Sequence, residues 1–175
     1  MSKVAITGNA SGTGVFTVAS PNSNVDRVLT LPDESGTVAT VENLPAAAYG
    51  RVVRTAGNIT TTSTSLVDVT GATVTLTTGA FPVAYGAAQN SFNDIFNAAT
   101  RFNVNIDGVL QFGTTGQSSN QLVAGLPTNT SFSGQSAVLT AGAHTIKEQW
   151  AVSSNTSTLR ATSDIAHMFY AQEIR

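Results

Sequence analysis

The side chains with the most chemistry to offer are Glu148, His144 and His167. The two histidines are the only ones in the 175-residue chain. A metal centre would need both of them plus carboxylates, and neither sits in an H-x-x-x-H or similar ligand spacing. Each is therefore expected as a satisfied histidine, on the surface or in the core. Serines are plentiful, yet no Gly-x-Ser-x-Gly elbow presents one as a nucleophile. The glycine-rich pieces at residues 8–14 and 113–117 lack the lysine and the strand-to-helix setting of a phosphate loop, and read as turns. There is no cysteine, so neither a disulfide framework nor a thiolate site is available. No catalytic residue, cofactor or metal site is expected, and the chain does not read as an enzyme.

Glu148 is the unusual member of its surroundings. In the run Ala141 to Val152 a period of two puts Ile146, Trp150 and Val152 on one face with Glu148 between them, and Thr145, Lys147 and Gln149 on the other. An ionised carboxylate on an apolar face must find a cation or donors, or take up a proton. Arg101, Arg160 or His167 could serve, in the same chain or in a neighbouring one. A paired carboxylate in a core or subunit interface is the expectation, since no second carboxylate or nucleophile is spaced to work with it catalytically.

The elements that must position these residues follow from composition. The composition leans to Thr, Ser, Gly, Asn and Val, with few Lys, Glu or Leu, a mixture that favours pleated strands and tight turns over helices. An all-β protein is expected, with one main core at this length. The 8 Lys and Arg against 10 Asp and Glu give a net charge of -2 without a basic stripe, which argues against a nucleic-acid partner. No apolar run is long enough to span a membrane or act as a signal peptide, so a soluble protein made in a cytoplasm is expected, without membrane insertion.

Four short strand-like runs separated by turn clusters occupy residues 1–42, too little for a core of their own. The stretch NLPAAAYG, residues 43–50, reads as a linker, bracketed by Pro45 and Gly50. Beyond it strand-like runs recur about every ten residues, a spacing that suits a β-sandwich or jelly roll over residues 51–175. The expected strands are 50–55, 64–69, 72–78, 81–87, 101–106, 109–112, 136–139, 145–152, 158–161 and 166–174. The clearest is the hairpin RFNVNIDGVLQF, residues 101–112, whose Asp107-Gly108 pair fits a type I′ turn. A two-residue loop would leave apolar side chains on both faces; a bulged loop would flip the second strand. The two-residue case points to Phe102, Val104, Ile106, Glu148 and Trp150 as subunit-interface candidates. The long polar stretch 113–131 is the expected ligand-contacting loop, with Gln117, Asn120, Gln121 and Asn129 as contacts.

Residues 11–40, SGTGVFTVASPNSNVDRVLTLPDESGTVAT, resemble a segment of bacteriophage tail fibres and other virion appendage proteins. Gly12-Thr13-Gly14, Phe16-Thr17, Arg27, Leu29-Thr30-Leu31-Pro32-Asp33 and Gly36-Thr37 carry the likeness. The resemblance implies that this segment docks the protein to the particle, with Phe16, Arg27, Leu29, Leu31, Pro32 and Asp33 as anchoring residues. More loosely, LTAGAHT at 139–145 and Gln149-Trp150 resemble small jelly-roll modules of phage fibres and heads, where an apolar residue is usual at the position of Glu148. Such modules commonly form homotrimers. The function so implied is a virion structural protein, foremost a short tail fibre that contacts host surface polysaccharide, with a capsid decoration protein as the alternative. A free carbohydrate-binding module is the reading from a different class, with Tyr85, Phe92 and Phe96 as rings for sugar stacking.

Overall fold

The computed structural model describes residues 11–13, 24, 46–120 and 123–175. The chain divides into two compact units, Met1–Glu42 and Asn43–Arg175. The six anchoring candidates, Phe16, Arg27, Leu29, Leu31, Pro32 and Asp33, lie outside the described residues, as does Gln121.

Among the described residues the second unit has no helix and eleven strands. They are β1 (Tyr49–Arg54), β2 (Ile59–Thr61), β3 (Val67–Thr78), β4 (Val83–Asn93), β5 (Ala99–Ile106), β6 (Val109–Leu110), β7 (Gln117–Asn120), β8 (Thr128–Gln135), β9 (Gly142–Val152), β10 (Ser157–Arg160) and β11 (His167–Glu173). All pairings are antiparallel. In the first sheet β4 carries β8 on one flank; on the other it pairs first with β11 and then with β10, which in turn carry β1 and β2. In the second sheet β9 lies between β3 and β5, and β5 is flanked on its far side by β7 and β6.

Three pairs are thus halves of broken tracks: β1 with β2, β6 with β7, and β10 with β11. Counted as single tracks they give the orders first–eighth–third–sixth and second–seventh–fourth–fifth, the winding of a β-sandwich of jelly-roll type. The sheet starts earlier than expected from sequence. β1 begins at Tyr49, inside the stretch read as a linker, because Glu173 N donates to Ala48 O and ties the incoming chain to β11.

Period-two alternation places the core between the sheets. β5 turns Phe102, Val104 and Ile106 inward; β9 turns Ile146, Glu148, Trp150 and Val152 inward; β3 contributes Val69, Val74 and Leu76. Phe112 meets Tyr85 and Phe132 edge-on, at 5.8 and 5.7 Å between ring centres, and Phe102 stacks on Phe132. Fully burying one such side chain contributes about 1.5–3 kcal/mol.

These positions correct one expectation. Phe102, Val104, Ile106, Glu148 and Trp150 are each at most 3% exposed within the single chain, so they form its core and no subunit interface. The hairpin loop does have two residues, Ile106 pairing with Val109, and both Asp107 and Gly108 take the positive φ of a type I′ turn. The apolar residues beyond it need no partner chain. The strand ends at Leu110, and the buried Asn103 side chain draws the next residues inward: its Oδ1 accepts from Phe112 N and its Nδ2 donates to Gly113 O. Phe112 then reaches the core, while Val109 stays exposed at the turn.

Three strands were not expected, β2, β7 and β8, and the strand expected at 136–139 is instead an irregular segment after β8. β8, with the sequence TNTSFSGQ, hides well. Phe132 is its one large apolar residue, and the inward Gly134 leaves room for Tyr85, whose Oη would lie 2.7 Å from an added Cβ.

Candidate functional site

The inward face of β4 changes character along its length, from Val83, Tyr85 and Ala87 to Gln89, Ser91 and Asn93. The core beside this half of β4 is therefore polar. In it Thr100 Oγ1 donates to Asn93 Oδ1 at 3.0 Å and lies 2.6 Å from Ser157 Oγ. Nearby, His167 Nε2 and Glu148 Oε2 meet at 2.7 Å, with side chains 2% and 0% exposed. Of the three partners expected for Glu148, His167 takes the place, from the same chain, whereas Arg101 donates to Thr64 O. Burial pushes the Glu148 carboxyl above its usual value, and the contact with His167 opposes that. Glu148 Oε1 and both amide atoms of Gln89 find no hydrogen-bond partner. Closed off between the sheets, this pair cannot meet a substrate, and its chemistry is that of a buried structural contact.

The second histidine sits at the opposite end of the sandwich, where β9 begins. His144 Nδ1 lies 2.6 Å from Asp107 Oδ2, and its Nε2 lies 2.8 Å from Thr140 O. Asp107 Oδ1 accepts from Thr145 N, so the carboxylate pins the β5–β6 turn to β9. The Thr145 amide first and His144 second hold Asp107 below its usual value; Asp107 and then the Thr140 carbonyl raise His144. The two histidines thus serve separate places, and among the described residues no group of three His, Asp or Glu side chains is placed to hold a metal ion.

Glu173, 1% exposed, does comparable work at the start of the sandwich. It accepts from Gly79 N at 2.7 Å and from Ala48 N at 3.1 Å, and it pairs with Arg175, which lies over the Phe81 ring. Burial opposes ionisation there, but the two amides and Arg175 outweigh it and hold the carboxyl below its usual value.

The expected contact loop is partly sheet, with residues 117–120 in β7 and 128–131 in β8. Gln117 and Asn120 lie on β7, paired with Phe102 and Ala99 of β5, and Gln117 is exposed. Asn129 lies on β8 and accepts from Asn90 Nδ2 at 2.7 Å. Asn129 borders a concavity: a groove of about 360 Å³ on the outer face of the first sheet.

Local structure explains that groove. Its floor is made by outward residues of two neighbouring strands, Ala88 and Asn90 of β4 and Asn129 and Ser131 of β8. Its wall is the turn that breaks the β10–β11 track, closed by Thr162 N to Ile165 O at 2.8 Å and Ile165 N to Thr162 O at 3.2 Å. That turn brings Asp164, Ile165 and Ala166 to the rim. Asn90 and Asp164 escaped the sequence reading. The interruption between the runs 158–161 and 166–174 was visible, but the neighbour it would face depends on sheet order.

Of the rings expected to stack on sugar, Tyr85 is buried in the core and Phe92 is partly buried, whereas Phe96 is exposed in the turn after β4. Gly125 N donates to Asn93 O and holds the segment bearing exposed Val123 and Leu126 beside the end of β4. No family model matches the chain, and no curated protein matches it closely enough to count as a relative.

Proposed function

We propose that the chain is a bacteriophage virion structural protein, a short homotrimeric tail fibre that docks through residues 1–42 and meets the host surface with its C-terminal β domain. The observation that carries this reading is the segment at 11–40, whose GTGxFT, RxLTLPD and GT elements resemble phage appendage proteins, standing ahead of a jelly roll. The division into units Met1–Glu42 and Asn43–Arg175 supports separate docking and projecting roles. The fold by itself hosts many functions, including capsid and lectin domains, so the weight rests on the segment.

Immunogold labelling of purified particles tests the reading. Label at the tail is expected. Label over the head would replace the fibre by a capsid decoration protein, and particles without label would overturn the virion assignment. Removal of residues 1–42 is expected to leave a folded domain that no longer enters particles; truncated protein found in particles would sink the docking role.

A further inference from the structure

We infer that the groove between β4, β8 and the 162–165 turn is a binding site for an uncharged carbohydrate. This rests on the reading of the β domain as the part that meets the host surface, and it names both the place and the ligand class.

The lining selects the chemistry. Among the described residues no lysine or arginine lines the groove; Asp164 stands at its rim and Arg160 of β10 pairs opposite Asn90, so one charge of each sign flanks it and neither sign of ligand is selected. The remaining polar groups are amides and hydroxyls, which both donate and accept, and sugar hydroxyls do the same. Asn90 and Asn129 use one group each on the other, through Asn90 Nδ2 and Asn129 Oδ1. Asn129 Nδ2 is left to donate, and Asn90 Oδ1, on a residue 7% exposed, has no partner. Asp164 accepts only a 3.2 Å bond from neighbouring Ser163 Oγ, so most of its acceptor capacity is open. Ala88, Ile165 and Ala166 add apolar surface on which the C–H face of a sugar ring can lie. At about 360 Å³ the groove is at the small end of ligand sites, which run to about 1,000 Å³.

The same strands argue against a peptide. An extended peptide binds by adding to a sheet edge. The floor strand β4 has both flanks already paired, with β8 on one side and β11 and β10 on the other, and the free edge of β8 lies on its side away from β4, so a peptide added there would not occupy the floor of the groove.

The test is a titration of the full-length, isotope-labelled chain with maltotetraose, mannotetraose and galactotetraose, alongside a uronic-acid tetrasaccharide, followed by amide and side-chain NMR shifts. At least one neutral tetrasaccharide is expected to shift Asn90, Asn129, Ser131 and Asp164. Asp164→Ala should weaken that binding at least tenfold, while Thr75→Ala on the opposite sheet should leave it unchanged. Shifts centred on Phe96, binding of the uronic saccharide alone, or no neutral binding would overturn the inference. The position of Asp164→Ala protein on labelled particles does not depend on the groove, so the virion reading and the carbohydrate site fail independently.

Discussion

Each histidine of the chain meets one carboxylate at nearly the same distance, 2.6 Å for His144 with Asp107 and 2.7 Å for His167 with Glu148. The surroundings differ. Asp107 is 45% exposed, whereas Glu148 and His167 are sealed between the sheets. In the half-exposed pair both ring nitrogens of His144 face acceptors, a carboxylate and a carbonyl, so only the imidazolium satisfies both. In the buried pair one proton between Nε2 and Oε2 suffices, and desolvation works against charge on Glu148. An imidazole and a carboxylate thus make a charged clip at the surface in one place and a buried core contact in the other.

The largest difference should appear when each carboxylate is removed. Glu148→Ala leaves His167 buried without its partner and is expected to cost about 3–5 kcal/mol, as broken buried pairs do. Asp107→Ala opens a contact that water can replace, with an expected cost under about 1 kcal/mol. Urea unfolding of the full chain measures both, and equal costs would break the comparison. Replacing both buried members, with Glu148→Leu and His167→Leu together, should recover most of the loss, because apolar replacement of a buried pair is often neutral or stabilising by about 1–4 kcal/mol. A double variant as unstable as Glu148→Ala would mean that the pair specifies the packing of this part of the core.

How much of this was legible in the sequence differs between the pairs. Alternation from Ile146 to Val152 placed Glu148 inward and made His167 one of three partners for it. The Asp107-Gly108 pair announced its turn. What alternation does not carry is sheet order: Asp107 reaches His144 because β5 pairs with β9, Ile106 opposite Ile146, and nothing local to either residue states that. The same limit concealed the groove, which exists because the β10–β11 track breaks opposite β4. β8 was lost for a different reason. An edge strand with a single large apolar residue has the composition of a loop. The five interface candidates were misassigned because a chain read without its second sheet has apolar faces left over, and here that sheet covers them.

Protonation separates the pairs by a smaller amount. The raised pKa of His144 means that its contribution is complete below about pH 6.5 and is lost as pH rises through the folded value. Asp107, held low, contributes above about pH 3.9, and that is lost as pH falls through its folded value. The clip should therefore be strongest from about pH 4 to 6.5, and the stability difference between the wild-type chain and His144→Gln should peak there. Glu148 behaves in the opposite sense to Asp107. Its raised pKa favours the folded state below the ordinary carboxylate value, and that advantage is lost as pH rises through the folded value. Relative to Glu148→Gln, which keeps a donor facing His167 without a charge to desolvate, the wild-type chain should lose stability with rising pH. Parallel pH profiles for the two variants would overturn this assignment of opposite signs.

Salt should make the smallest difference and the sharpest distinction. At 1 M ionic strength the Debye length shrinks to about 3 Å, so the attraction of half-exposed Asp107 for the covered His144 ring at pH 5.5 should be weakened. The coupling energy from Asp107→Ala, His144→Ala and the double variant should then fall from a starting value of up to about 1 kcal/mol. Ions cannot enter between the sheets, so the coupling between Glu148 and His167 should hold at the same salt concentration. Loss of the buried coupling along with the half-exposed one would mean that water and ions reach Glu148, and the polar part of the core beside β4, with Gln89 and Glu148 Oε1 left without protein partners, would then be a hydrated channel between the sheets.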